Sequence, residues 1–136
     1  MDLKALDKAL QEIVEKRNEL SKIDYNNPKY DDLEEQLHDL EDDFHEEYGV
    51  YLEEVLQTVH DEICPDTDVL FPIAYIAKSY QLNSKNEFSV VATEGVFVEA
   101  DKYPGKETKL VMVPRPLRVI LNIGADKQLV VWEGTK

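Results

Sequence analysis

Apolar residues recur with two different periods along this chain, and the change falls near residue 64. Leu3, Leu6, Leu10, Ile13 and Leu20 follow at spacings of three and four, with Arg17 in the one remaining place. That stripe predicts an amphipathic helix facing a single partner. Asp2 stands where an N-cap belongs. The pattern stops at Asp24-Tyr25-Asn26-Asn27-Pro28 and resumes with Tyr30, Leu33, Leu37, Leu40 and Phe44. Asn27 is placed to cap a second helix, Pro28 suits its first turn, and Asp31 and Asp32 meet the positive end of its dipole. So short a connection makes the two helices antiparallel neighbours. Pairing them across the turn sets Leu20 beside Leu33, Ile13 beside Leu40 and Leu10 beside Phe44. Arg17 then lies beside Leu37, its stem packed and its guanidinium within reach of Glu34 or Glu41.

Beyond Phe44 the stripe widens through Tyr48, Tyr51, Leu52, Val55, Leu56, Val59 and Ile63. The first helix should be about 30 Å long and the second about 50 Å, at 1.5 Å per residue. The second therefore overshoots from Leu52 onward, and only the rest of the chain is left to cover it. Gly49 marks a candidate kink where the helix changes partner.

After Cys64-Pro65-Asp66 the period becomes two. Residues 69–80 read as a strand, although Ile73, Ile76, Ala77 and Tyr80 also fit a helical face. Phe88, Val90 and Ala92 alternate, as do Val96, Val98 and Ala100; residues 109–113, 117–123 and 128–132 complete six candidate strands. Turns are expected at Asn83-Ser84-Lys85-Asn86, Thr93-Glu94-Gly95, Pro104-Gly105 and Gly124-Ala125-Asp126-Lys127. Pro114-Arg115-Pro116 has to be an edge, bulge or corner. Leu117, Val119, Leu121 and Ile123 share one face and should be core. The expected fold is α+β: an N-terminal antiparallel helical hairpin, residues 1–64, packed on a C-terminal six-stranded antiparallel β-meander, residues 65–136. Short connections favour a small barrel or curled sheet, and the two halves are expected to cooperate as one domain.

Charge divides at the same boundary. Residues 1–64 carry 20 acidic and 6 basic side chains, residues 65–136 nine of each, so the whole net charge of −14 belongs to the helical half. Such a surface repels phosphates, so nucleic acid is not expected as a direct ligand, and basic partners are favoured. Residues 31–47 hold ten acidic side chains and no lysine or arginine. They include like-charged i,i+4 pairs such as Glu35/Asp39, Asp39/Asp43 and Asp42/Glu46, each mildly destabilising. Asp39, Asp42, Asp43, Glu46 and Glu47 are the candidate docking residues for a basic protein partner. Lys102, Lys106, Lys109, Arg115 and Arg118 make residues 102–118 locally basic, a candidate anion or self-association patch. The chain has no apolar run long enough to span a membrane, one cysteine, and no signal-peptide core at its start, so a cytoplasmic protein is expected.

Catalytic signals are sparse. His38, Asp42 and His45 share one flank of the second helix, the only weak metal-ligand candidates; three groups on one helix are too few for a site, and no metal or cofactor is expected. His60 and Cys64 are four apart, as in a Cys–His nucleophile, but they lie at a helix C-terminus, where the dipole raises a thiol pKa. A buried structural cysteine is the expectation. No serine-nucleophile motif or phosphate-binding glycine loop occurs, so the reading leans away from an enzyme.

The function expected is therefore a non-catalytic protein-interaction module with the acidic hairpin as its arm. A second reading is a small-ligand-binding β-barrel lidded by the helices, although six strands leave little interior. A third follows from arrangement. A coiled coil followed by a β unit resembles the bacterial transcript-cleavage factors, and that resemblance implies a regulator whose hairpin tip, Asp24-Tyr25-Asn26-Asn27, enters a polymerase channel. Self-association is expected as well, through opposite charges on the two halves or through an open sheet edge.

Overall fold

The computed structural model describes residues 1–134 and is α+β, with two helices and two antiparallel sheets. Helix α1 spans Leu3–Ser21 and helix α2 spans Tyr30–Ile63. Asp2 caps α1 as expected, its carboxylate accepting from Ala5 N at 3.1 Å. Asn27 is not the cap of α2: the N-cap position falls two residues later, at Lys29, whose side chain makes no capping bond. The Asn27 side chain accepts from Lys29 N at 2.9 Å and its carbonyl from Tyr30 N at 3.0 Å, so Asn27 shapes the turn that delivers the chain into the helix. α2 runs unbroken through Gly49, so the expected change of partner occurs without a break in the helix.

Two polar contacts cross between the antiparallel helices: Lys16 Nζ to Gln36 Oε1 at 3.0 Å, and Arg17 to Glu41. Leu6, Leu10, Ile13, Leu37 and Phe44 are buried along it. The overhang of α2 is covered as its width requires, with Leu52, Leu56 and Val59 buried in one cluster with Tyr75, Leu110 and Leu121 of the C-terminal half. Val14 is also fully buried. It lies on the flank of α1 that carries Asp7 and Asn18, so α1 has a second buried side.

The single six-stranded meander does not form, and no barrel closes. The strands divide into a two-stranded ladder, β1 (Gln81–Leu82) with β2 (Phe88–Ser89), and a four-stranded meander. The latter is β3 (Val96–Val98), β4 (Thr108–Val113), β5 (Arg118–Ile123) and β6 (Lys127–Glu133), in that order. Residues 69–80 form no extended strand and no α-helix. Pro72–Tyr75 make one 3-10 turn, and Ile76 forms an isolated parallel bridge to Met112. Proline at the start of that turn removes a ladder donor, and the two tyrosines that follow are used as buried anchors. The Tyr80 hydroxyl donates to Met112 O at 2.7 Å and accepts from Ala77 N at 2.8 Å.

The turns fall where expected. Asn83 accepts from Lys85 N and Glu87 N, and Gly105 takes φ +77 in the Pro104-Gly105 turn. Gly95 is required by both conformation and space: its φ is +123, and a Cβ there would stand 2.6 Å from Leu110 O across the β3–β4 pair.

Strand β5 is buried on both faces, Ile120 and Asn122 as well as Val119, Leu121 and Ile123. The second face is covered by residues 88–94, which strap across the sheet and are held by polar side chains. Arg118 donates to Phe88 O at 2.6 Å, Asn122 to Glu94 O at 2.8 Å, and Gln128 to Val90 O at 2.9 Å. These bonds satisfy carbonyls that the short ladder β1–β2 leaves without strand partners.

Candidate functional site

The flank of the hairpin that faces the C-terminal half is a row of polar clamps. Arg17 donates to Glu41 through Nε (3.1 Å) and a terminal nitrogen (2.6 Å), and its other terminal nitrogen reaches the carbonyls of Ile76 (2.9 Å) and Ala77 (3.1 Å). Of the two expected acids, Glu41 is the partner. The arginine does more than reach the rim: it joins both helices to the loop that precedes β1. One residue on, Asn18 pairs with both backbone groups of Tyr80, accepting from its N–H at 2.9 Å and donating to its carbonyl at 3.1 Å. At the other end of α1, Asp7 accepts from Arg115 N at 2.9 Å.

The opposite surface of α2 makes no such clamps to the C-terminal half among the described residues. Asp39, Asp42, Asp43, Glu46 and Glu47 are all exposed. Among the described residues the ion pairs are Lys16–Glu19, Arg17–Glu41 and Lys109–Glu107, so Glu41 is the only acid of residues 31–47 with a basic partner. Burial, reinforced by the Glu47 carboxylate, pushes the Tyr48 phenol up.

His38, Asp42 and His45 do not converge, and no group of three or more His, Cys, Asp or Glu among the described residues is arranged to hold a metal. The His45 ring lies instead edge-on to Phe71, centroids 5.2 Å apart. It also lies over Gly49, where a Cβ would come within 3.1 Å of its Nδ1, so the glycine leaves room for the ring. Phe71 is 68% exposed and Val50 75%, an apolar fringe beside the acidic face. Leu70 and Phe71 line an open groove with Glu53, Gln57 and Val69. Sequence reasoning placed residues 69–80 in a strand and so missed this fringe. Its signal is Leu70-Phe71-Pro72, two large apolar residues before a proline that cannot extend a ladder.

His60 and Cys64 do not form a reactive pair. His60 Nδ1 is 2.8 Å from Thr67 O, which can only accept, so Nδ1 donates. Its Nε2 then accepts from the Tyr75 hydroxyl at 2.9 Å, whose oxygen accepts from Leu70 N at 3.0 Å. Both ring nitrogens are thus used in anchoring the loop after α2. Cys64 is fully buried, and burial, with a contribution from Asp101, pushes its thiol up to about 11. That is the opposite of what a nucleophile needs.

The five basic candidates fall into separate places. Lys102 and Lys106 lie in the β3–β4 connection and Arg115 in the β4–β5 connection, at opposite ends of β4. Six residues of strand put these ends about 20 Å apart. Lys109 donates to Thr93 O at 2.8 Å and pairs with Glu107. Arg118 is half-buried, its guanidinium bound to the carbonyls of Phe88, Pro114 and Pro116, and burial lowers its pKa. Arg115 stacks over the Phe88 ring at 5.8 Å.

Comparison with protein-family models, with curated proteins and with solved structures returns no match. No helix among the described residues is long and apolar enough to cross a membrane.

Proposed function

We propose that this chain is a non-catalytic protein-interaction module whose docking surface is the outward face of α2, and whose two halves unfold as one unit. The observation that carries the reading is the unneutralised acidic face: Asp39, Asp42, Asp43, Glu46 and Glu47 are exposed and without basic partners among the described residues. Surfaces of one sign steer oppositely charged partners, and the apolar fringe of Val50, Leu70 and Phe71 offers contact area that charge alone lacks. The partner is a basic protein segment with apolar residues among its lysines and arginines.

The ligand-barrel reading has little to support it, because the four-stranded sheet is open and does not close around an interior. The tip-insertion reading also loses ground. Arg17 and Asn18 bind the hairpin to the C-terminal half within about one turn of the end of α1, so little of that helix projects.

Titration of the chain with a basic amphipathic peptide, and separately with polylysine as a charge-only control, tests the proposal. Binding should be tighter for the amphipathic peptide, and should weaken with salt and in the variant with Asp39, Asp42 and Asp43 changed to Asn and Glu46 to Gln. Equal binding by that variant would reject the acidic face as the docking surface.

A further inference from the structure

The loop that follows α2 carries the apolar fringe, and one buried chain of hydrogen bonds ties it to the helix. His60 is 1% exposed and Tyr75 is fully buried. His60 Nδ1 donates to Thr67 O at 2.8 Å, the Tyr75 hydroxyl donates to His60 Nε2 at 2.9 Å, and Leu70 N donates to the Tyr75 oxygen at 3.0 Å. The direction of this chain is fixed. A carbonyl only accepts, so Nδ1 carries the hydrogen of the neutral ring and Nε2 is the acceptor. Every bond in the chain therefore requires an uncharged imidazole. Leu70 and Phe71 stand at its far end, with their side chains in water.

A proton added at Nε2 turns that acceptor into a donor. The Tyr75 oxygen then faces two donors, His60 and Leu70, and its own hydrogen loses the only acceptor it has among the described residues. A buried hydroxyl left without an acceptor is costly. The surrounding groups do not repair this. Cys64, one turn further along α2, and Tyr75 are both held neutral near pH 7, because burial pushes both up. The carboxylates of the neighbouring segments are Glu53 and Asp61 on α2, Asp66 and Asp68 beside Thr67, and Asp101, whose charge acts on the Cys64 thiol. Among the described residues none of them is ion-paired with His60. These charges and the negative end of the α2 dipole favour a cation at this place, yet none of them offers Tyr75 an acceptor. Long-range charge thus favours protonation while the local bonds oppose it. The conflict is relieved when Tyr75 lets go of the ring.

We infer that His60 is an acid-sensitive latch: its protonation releases Tyr75 from α2, and with it the fringe of Leu70 and Phe71. Those two residues form one wall of the groove that Glu53 and Gln57 of α2 line on the other side. A released loop no longer forms that wall, so a partner seated there is let go as pH falls through the range in which histidine changes charge. His45 also touches the loop, its ring edge-on to Phe71, but it is exposed and makes no hydrogen bond to the loop among the described residues. Its charge does not open the latch.

Hydrogen exchange of the full chain, with rates corrected for the intrinsic effect of pH, tests this at the amides of Leu70 and Ala74. Between about pH 7.5 and about pH 5.5, where carboxylates stay ionised, their protection should fall about tenfold, while amides in the middle of α1 keep theirs. His60→Gln retains an acceptor for Tyr75 in a side chain that does not titrate, and should abolish the fall. Tyr75→Phe is the second probe, in case that variant fails to fold. It removes the hydroxyl and should leave Leu70 poorly protected at both pH values. His45→Gln should show the same fall as wild type. A second arm rests on the docking reading given above. The basic amphipathic peptide should lose more affinity on acidification against wild type than against His60→Gln. Protection that stays level in wild type, that falls equally in His60→Gln, that survives in Tyr75→Phe, or whose fall disappears in His45→Gln would each overturn the latch. An equal loss of peptide affinity in wild type and His60→Gln would overturn the release of the fringe. A peptide that binds neither form rejects the docking reading, and the exchange rates then decide the latch by themselves.

Discussion

The two flanks of the helical hairpin are both rich in polar residues, and they use them in opposite ways. On the inner flank, charged and amide groups meet backbone groups that would otherwise be orphaned: Arg17 at Ile76 and Ala77, Asn18 at Tyr80, Asp7 at Arg115. On the outer flank of α2, Asp39, Asp42, Asp43 and Glu46 face water and one another. Where the chain opposite has no regular ladder, a polar side chain substitutes for the missing strand and is fixed in place. Where nothing lies opposite, the same chemistry remains a free charge, available for steering.

The sharpest way to break this contrast is to loosen the inner side of α2. Leu56→Ala should cost about 2–5 kcal/mol, the range for a buried leucine, in a single urea transition that helix and sheet signals report together. Two separate transitions, with the substitution silent in both, would show that the halves do not form one unit.

Next comes the clamp. Arg17→Ala leaves the carbonyls of Ile76 and Ala77 without their donor and should cost about 2–3 kcal/mol. Arg17→Lys should recover less than half of that, because an ammonium cannot span Glu41 and two carbonyls with a planar fork. Full recovery by lysine, read from denaturant midpoints, would reduce the clamp to a simple charge.

The buried side of the hairpin should also make the fold sensitive to alkali. The Cys64 thiol ionises near its ordinary 9.0 when unfolded and at about 11 when folded, so the folded state holds the proton more tightly. That stability is fully present below pH 9.0 and is lost as pH rises toward about 11, a fall of about 2 kcal/mol. The stability difference between wild type and Cys64→Ala should therefore be constant below pH 9.0 and shift against the wild type as pH rises toward about 11. A wild-type stability flat across this window would contradict the burial of the thiol.

The smallest effect is expected on the outer flank. Neutralising Asp39, Asp42, Asp43 and Glu46 removes i,i+4 repulsion and should change stability by no more than about 0.5 kcal/mol, toward stabilisation. A loss of about 2 kcal/mol or more, by the same melts, would mean that these acids are structural and that the contrast between the flanks is false.

Much of the frame follows from local pattern. The stripes of α1 and α2, the Asp2 cap, the burial of Leu52, Leu56 and Val59, and the turns at residues 83–86 and at Pro104-Gly105 depend on periodicity and turn chemistry, which are local properties. The acidic face is equally legible, because like charges three and four apart on one helix define a side without reference to any partner. Residues 69–80 were not legible, since a short apolar run satisfies both periods until its neighbours decide. Here Pro72 and the anchoring of Tyr75 and Tyr80 turn it into a braced loop. The division into two sheets, the burial of both faces of β5, and the conversion of Arg17, Asn18 and Asp7 into clamps were settled by tertiary structure alone. Each depends on which backbone groups from distant parts of the chain come to lie opposite a side chain. That is a matter of long-range packing, and no periodicity within a single segment encodes it.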